Sequence, residues 1–549
     1  MVYSWRRSRD GMLFPEVKEN LMALKNRVLV IGPVVILLCA LVGGVYGPRV
    51  TAQSASDDEK IQASLRSISR VLQAVEANYS DPVNVERVIY SGAIPGMLRT
   101  LDPHSNFFDP KSFALLREEQ RGRYYGVGMT VTPRDGKTIV LAPFPGSPAY
   151  KAGLRPGDVI VQVEGKPTEG LTTSEIAELL KGPRGTTVHI LIEREGHAEP
   201  VSFAIVRDEI PRLSIEHAFK IAPEVAYVRI SSFNETTSRE LRERLGELNP
   251  ATLKGLVLDL RNNPGGLLNE GVNVADLFLQ KGQLIVSHRG KASPEKKYTA
   301  TRRGNRGPNF PLVILINRFT ASAAEIVSGA VQDHDRGLIV GEASFGKGLV
   351  QTVYPLNENT GLALTTARYY TPSGRLIQRE YSGVSLYNYY NNKDKAEVNR
   401  TDVRTTDSGR PVYGGGGISP DVEIPERKLD PFQELLSRRF AFFNFAKHYL
   451  ASHDTIRQDF EATDEILGQF RQFLRDQNIP INESEFTQHR GYIQQEIKYE
   501  LVLSMFGSDE AYKLAAAADP QIQKAVELLP QAATLLENAR QVIAQRPNR

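Results

Sequence analysis

Cysteine is almost absent from this chain: Cys39 is the only one, and it lies inside an uncharged apolar run. No intrachain disulfide can form, and neither a thiol nucleophile nor a cysteine-based metal site can stand outside that run. Histidine is sparse, nine in 549 residues, with no HExxH or comparable ligand spacing. A metallopeptidase is therefore not expected, and neither is a cofactor. An excess of one charge is missing too, since 67 Lys and Arg face 64 Asp and Glu for a formal net charge of +3. A nucleic-acid binder concentrates basic residues, so no nucleic-acid partner is expected. With 41% hydrophobic and 24% charged residues the chain reads as folded, and its length exceeds one hydrophobic core; three or so units are expected.

The apolar run is Val28 to Tyr46, without a charge over nineteen residues. At 1.5 Å per residue a helix of that length spans about 28 Å, the thickness of a bilayer's hydrocarbon core. Arg6, Arg7, Arg9, Lys18, Lys25 and Arg27 precede it, and only Arg49, Lys60 and Arg66 follow within twenty residues. The positive-inside rule then leaves residues 1–27 in the cytoplasm and exports the rest. The expected location is the inner (cytoplasmic) membrane, single-pass, with the remainder in the periplasm or another exported compartment. The competing reading is a cleaved signal peptide, for which a 27-residue charged leader is long. A buried core helix fits least well, because Pro33 and Gly43-Gly44 would weaken it in water.

Residues 57–120 carry helical periodicity: Ile61, Leu65, Ile68, Val71, Leu72 and Val75 share a face. Asp81-Pro82 breaks the pattern, a second apolar run covers Val85 to Leu98, and a turn follows at Leu101-Asp102-Pro103-His104-Ser105. His104 invites a catalytic reading, yet a polar side chain in a Pro-containing turn more often bonds backbone. Residues 121–207 alternate short β-type runs (128–132, 138–141, 159–163, 188–193, 201–206) with turns, and 173–180 is helical behind an N-cap at Thr172 or Thr173. Tyr125-Gly126-Val127-Gly128-Met129, Ser147-Pro148-Ala149, Ala152-Gly153-Leu154 and Arg155-Pro156-Gly157-Asp158-Val159-Ile160 resemble a PDZ domain. The resemblance implies that backbone N–H groups of Gly126, Val127, Gly128 and Met129 receive a substrate's terminal carboxylate while the tail adds as a strand. The bland alternative is that these glycines permit a tight turn.

Residues 208–425 alternate apolar runs with helical segments, the mark of an α/β layer structure. The buried strand 255–260 ends in Arg261-Asn262-Asn263-Pro264-Gly265-Gly266, and a helix from about Asn269 to Leu279 follows. Strand 311–317 leads through Arg318-Phe319-Thr320-Ala321 to Ser322, where a helix starts. A hydroxyl there stands at the positive end of a helix, where an oxyanion is favoured. The N–H of Ala323 points to the same place, and the Gly265-Gly266 loop can bring a second donor. Ser322-x-x-Glu325 also fits an ordinary capping box.

A serine nucleophile needs a base. Lys347, in Ser344-Phe345-Gly346-Lys347-Gly348, can serve only if desolvation or a nearby positive charge lowers its pKa. Gln351, four residues on, faces the same side in an extended strand and can orient the amine without adding charge. Taken alone, Lys347 also reads as an ordinary exposed loop lysine. Strands are expected at 337–341, 349–354 and 362–370, and a surface loop at 382–417. From 430 to 549 the chain reads as four helical stretches separated near Asp454, Pro480 and Ser508, an assembly surface or a substrate-guarding element.

Thr320-Ala321-Ser322-Ala323-Ala324-Glu325-Ile326, Phe345-Gly346-Lys347-Gly348-Leu349-Val350-Gln351 and 258–266 together resemble the carboxyl-terminal processing peptidases, or tail-specific proteases. So do Tyr369-Tyr370-Thr371-Pro372-Ser373-Gly374-Arg375 and Gly417-Ile418-Ser419-Pro420-Asp421. The resemblance covers roughly residues 60–425 with its motifs in order. It implies a crotonase-like α/β peptidase core with an inserted PDZ domain, a Ser322–Lys347 dyad supported by Gln351, and cleavage near the C-termini of exported or membrane proteins. Around that core the chain adds the N-terminal transmembrane helix, an N-terminal helical segment and a C-terminal helical extension. The expected partners are proteins with apolar C-terminal tails, the membrane through one helix, and a second copy or an activating protein at the C-terminal helices. One departure stands at Lys181-Gly182-Pro183-Arg184-Gly185, where many relatives carry an arginine before the glycine; any coupling through that position falls to Lys181 or Arg184.

Two other functions compete. A trypsin-like protease needs Gly-Asn-Ser-Gly-Gly around its serine and places a PDZ domain after the catalytic unit; neither holds here. A non-catalytic protein presenting tails to another enzyme would keep the PDZ domain and have no use for the dyad.

Overall fold

The computed structural model describes residues 53–545 apart from 135, 302–309, 392–398, 454 and 458. The apolar run at 28–46 lies outside the described residues. Among those described, no helix is long and apolar enough to cross a membrane. The chain divides into two units, Met1–Gly92 and Ala93–Arg549. In the first, the helix Gln53–Asn78 displays Ile61, Leu65, Ile68 and Val71 to solvent.

The second unit is built on a six-stranded sheet ordered Ile215–Ala222, Val225–Ile230, Gly255–Asp259, Leu312–Ile316, Leu338–Gly341 and Val422–Glu423. Its first pair is antiparallel and the rest are parallel. The central strands are apolar on both faces because both are covered. Leu256, Leu258, Leu312, Ile314 and Ile316 pack with Leu241, Val274, Ile326 and Val327 of the helices Thr237–Glu247, Leu268–Asp276 and Ala323–Asp333. The alternate residues Val257, Val313, Leu315 and Val340 face the other way, onto Ala516, Ile522, Ala525, Leu528 and Ala532. The last three helices, Ser508–Ala518, Pro520–Glu527 and Leu529–Gln545, are thus the second helical layer of the core sheet. Their apolar sides are spent on this sheet, a structural role that the expectation of an assembly or guarding surface did not include.

A second, antiparallel sheet joins Asn106–Phe108, Gly361–Tyr370, Leu284–Gly290 and Ser293–Thr299, with Leu349–Pro355 also paired to Gly361–Tyr370. Residues 382–417 hold the helix Leu386–Asn391 and the hairpin Asn399–Thr405/Pro411–Gly414 where a loop was expected, because Tyr389 is buried and fastens the segment. The region 431–506 forms its own bundle around Phe442, Phe445, Phe470 and Phe486. Residues 430–545 contain eight helices among the described residues rather than four stretches. Single-residue caps such as Asp430 and Asp519 restart helices that periodicity alone runs together.

Residues 129–206 form a separate sheet ordered Met129–Arg134, Lys137–Pro143, Val159–Val163, Thr187–Glu193 and Val201–Val206. The helix Thr173–Leu180 packs on it behind a capping box between Thr172 and Glu175. Met129–Arg134 is an edge strand, and that helix lies against it.

Candidate active site

Ser322 ends the turn that follows strand Leu312–Ile316 and is the N-cap of the helix Ala323–Asp333, whose eleven residues are all buried. Its backbone has φ 54° and ψ −113°, a conformation costing a non-glycine residue about 1–3 kcal/mol. That cost is held by contacts on three sides. The Ser322 N–H donates to Glu325 Oε2 at 2.7 Å, Tyr369 Oη donates to the Ser322 carbonyl at 3.2 Å, and the Ala321 N–H donates to the Asn263 carbonyl at 2.9 Å.

Glu325 does more than close a cap. Fully buried, it accepts Ser344 Oγ at 2.5 Å and the Gly346 N–H at 2.7 Å on Oε1, and the Lys347 N–H at 2.9 Å on Oε2. One carboxylate therefore ties the backbone of Ser322 to that of Lys347. Burial pushes its pKa up, and the four donors act against that. The spacing Ser-x-x-Glu showed the cap; the reach across 22 residues of sequence carries no local signal.

Lys347 Nζ donates to Gln351 Oε1 at 3.1 Å, and Gln351 Nε2 donates to the His104 carbonyl at 2.5 Å. Among the described residues no carboxylate lies within ion-pair distance of Nζ. Burial lowers the Lys347 pKa below its ordinary 10.5, against the more distant pull of Glu325 and Asp102. The Lys347–Gln351 meeting does not arise from strand alternation: the strand begins only at Leu349, and a bulge falls between Val350 and Gln351. No hydrogen bond joins Ser322 Oγ to Lys347 Nζ in this structure.

The turn at 102–105 supplies what orients Gln351. Asp102 accepts the N–H groups of His104 and Ser105 at 2.7 Å each, and Ser105 Oγ at 2.7 Å, which aims the His104 carbonyl. The His104 ring bonds Tyr389 Oη at 2.9 Å through Nε2 rather than backbone, correcting the expectation for its side chain. It sits edge-on to Phe345, Tyr389 and Tyr390. Burial first, and then the nearby charge of Lys347, push its pKa down to about 4, so the ring is neutral at pH 7.

The Gly265-Gly266 loop packs directly on the serine turn. A Cβ on Gly265 would stand 2.7 Å from Ser322 Cβ and 2.8 Å from the Ala323 nitrogen. One on Gly266 would stand 2.0 Å from the Phe233 carbonyl oxygen. The Gly265 N–H is already donated to Asn263 Oδ1 at 2.8 Å, so of the two glycines between which the sequence left the second donor open, Gly265 is the one already engaged. Among the described residues the N–H groups of Gly266 and Ala323 donate to nothing.

At the PDZ loop, φ is +77° at Gly128, and a Cβ there would meet Ser147 Cβ at 2.6 Å, so the glycine is required. Its carbonyl accepts Ser147 Oγ and the Phe144 N–H, and the Val127 carbonyl accepts the Ala149 N–H. The N–H groups of Val127 and Gly128 are buried with their residues and donate to nothing among the described residues. Gly126 lies in a strand paired with Asp208–Pro211, and Met129 opens the edge strand. Lys181, the C-cap of the helix Thr173–Leu180, reaches Glu118 of the helix Pro110–Arg121 at 3.0 Å, whereas Arg184 stays with Asp208.

Comparison with known proteins places these features in one class. Residues 224–385 match peptidase family S41, 139–194 a PDZ domain, and 432–484 the family described as "Probable PDZ-protease, C-terminal helical domain". The chain is 38% identical over 335 residues to the carboxy-terminal-processing protease of Bartonella bacilliformis, covering 60% of this chain and 76% of that protein. It is 31% identical over 400 residues to the carboxy-terminal processing protease CtpA of Bacillus subtilis, covering 72% and 83%. Among solved structures it is 32% identical to a photosystem II D1 C-terminal processing protease, covering 64% and 85% with a TM-score of 0.34. The chain belongs to the carboxy-terminal processing proteases, S41 peptidases with a PDZ domain.

Proposed function

We propose that this protein is a serine endopeptidase that cuts exported or membrane proteins near their C-termini, with Ser322 as nucleophile and Lys347 as general base. The observation that carries the reading is the buried Lys347 amine, which meets a neutral amide oxygen and no carboxylate. An amine so placed loses its proton more readily than an exposed one, which a base at pH 7 requires. Neutral Nζ takes the proton of Ser322 Oγ as the oxygen attacks the peptide carbonyl. The pair closes when substrate binds, as catalytic hydrogen bonds tighten in the bound complex. The oxyanion falls to the two free donors, the N–H groups of Ala323 and Gly266, at the helix N-terminus. The ammonium then returns its proton to the leaving amine, and Lys347 activates water to hydrolyse the acyl-enzyme. Gln351 holds Nζ on aim, and the His104 carbonyl holds Gln351.

Substrate choice falls to the PDZ domain. The free N–H groups of Val127 and Gly128 suit a terminal carboxylate, and the edge strand Met129–Arg134 beside its helix accepts an extended tail. The charge asymmetry around residues 28–46 supports a tether with the catalytic unit on the exported side. The test is an unfolded substrate with an apolar C-terminus. Wild type trims it, Ser322→Ala loses roughly a thousandfold or more of kcat, and an amidated terminus is cut more slowly than the free acid. Trimming by Ser322→Ala at the wild-type rate overturns the assignment; equal cutting of amide and acid overturns the PDZ role.

A further inference from the structure

The strand Gly255–Asp259 ends one residue before the turn that carries Gly265 and Gly266, and a buried charge cluster sits at this junction. Asp259, fully buried, accepts Tyr227 Oη at 2.7 Å and the Arg261 guanidinium through Nε at 3.0 Å and Nη2 at 2.6 Å. Arg229 approaches the same carboxylate at 3.6 Å. Arg229 also donates through Nε to Glu216 Oε2 at 3.0 Å, so its charge is matched by a carboxylate of its own. Arg261 takes a second carboxylate from 258 residues further on: its Nη1 donates to Asp519 Oδ2 at 2.8 Å and to Gln521 Oε1 at 2.6 Å. Tyr512 Oη adds bonds to Tyr227 Oη at 2.9 Å and from Arg229 Nη1 at 3.2 Å. Gln521 is itself buried and anchored, its Nε2 donating to the Ile424 carbonyl at 2.7 Å.

Arg261 also leads straight into the site. Asn262 is locked to Asn317 by bonds of 2.9 and 2.8 Å, and Asn263 bonds Ile230, Ala321 and Gly265. Arg261 therefore borders the turn whose Gly265 packs on Ser322 and Ala323 and whose Gly266 packs on Phe233. We propose that Asp519 and Gln521 are positioning residues for the peptidase reaction: through Arg261 they hold the 262–266 turn against the nucleophile, making the C-terminal helices part of the catalytic apparatus. The inference rests on the oxyanion role given above to the Gly266 N–H.

The experiment uses the full chain carrying Asp519→Ser with Gln521→Met. Serine keeps the N-cap that Asp519 Oδ1 provides to the N–H groups of Gln521 and Ile522, while the arm to Arg261 is lost. Methionine keeps the volume of Gln521 without its acceptor. The kcat for peptide cleavage falls between about tenfold and a hundredfold, the scale of a small misplacement at a reacting centre. KM is unchanged, and so is the apparent pKa of the kcat profile, because Lys347 is untouched. Wild-type kcat in the double variant, or a loss of kcat matched by an equal loss of folded protein in thermal unfolding, overturns the inference. Ser322→Ala run alongside separates the two levels. If it still cleaves, the proposed function fails; if it is inert while the double variant has wild-type kcat, only the role of Asp519 and Gln521 fails.

Discussion

Lys347 differs from an ordinary lysine in one respect that can be measured. Its amine is buried against Gln351, and burial lowers its pKa from 10.5. With Lys347 as the proposed base, the neutral amine is the active form, so kcat is expected to rise as pH passes the lowered value and to level off below the ordinary one. Gln351→Leu removes the acceptor and the aim together, and is expected to lower kcat without abolishing binding. A kcat that keeps climbing to pH 10.5 in the wild type would show an exposed, ordinary lysine. The residue types of this site were legible in the sequence: a serine at a strand-to-helix turn, a lysine between glycines, a glutamine four positions on. What was not legible is how they are held. The Glu325 contacts to Ser344, Gly346 and Lys347 and the His104 carbonyl on Gln351 join segments 19 to 247 residues apart. No local spacing encodes such contacts. The choice between the Gly265 and Gly266 N–H groups stayed open for the same reason, since the acceptor of Gly265 is the side chain of Asn263 in a turn whose form only the fold fixes.

At the scale of elements, His334, the C-cap of the helix Ala323–Asp333, fastens the hairpin Asn399–Thr405/Pro411–Gly414. Its Nδ1 meets Asp407 Oδ2 at 2.7 Å and its Nε2 the Leu284 carbonyl at 2.7 Å, two acceptors for one ring. Burial works against the imidazolium, but the bonds to Asp407 and Leu284 and the charges of Asp407 and Asp333 raise its pKa above 6.5. A raised folded-state value stabilises the protein fully below the unfolded value and is lost as pH rises through the folded one. Thermal midpoints measured across that window are expected to fall with pH in the wild type more than in His334→Gln. Identical pH dependence in the two would show that the ring is not charged in the folded protein. The five strands of the PDZ sheet and the helix Thr173–Leu180 were readable to within two residues because short β-type runs and an N-cap at Thr172 bound them, whereas the one-turn helix Pro148–Ala152 is too short to show a period. The 382–417 segment was not, because its Tyr- and Asn-rich sequence has no periodicity and Tyr389 is ordered by what it packs on: Ala321 and Phe345.

For the molecule as a whole, the sequence separated a PDZ sheet from an α/β core but assigned the C-terminal helices to a role outside it. The alternation that splits Leu256 and Leu258 from Val257 shows why. A strand apolar on both faces demands two covering layers, and the second layer is supplied by residues 508–545. In the proposed function the reaction centres on Ser322, and the C-terminal helices cover the sheet that carries it. The most direct measurement of that claim is to quench the enzyme during turnover of a slow peptide or ester substrate and map the acyl group by mass spectrometry. The acyl mass is expected on the peptide containing Ser322 in the wild type, and to be absent at neutral pH in Lys347→Ala. An acyl group on any other residue, or full acylation of Ser322 without Lys347, would contradict the account.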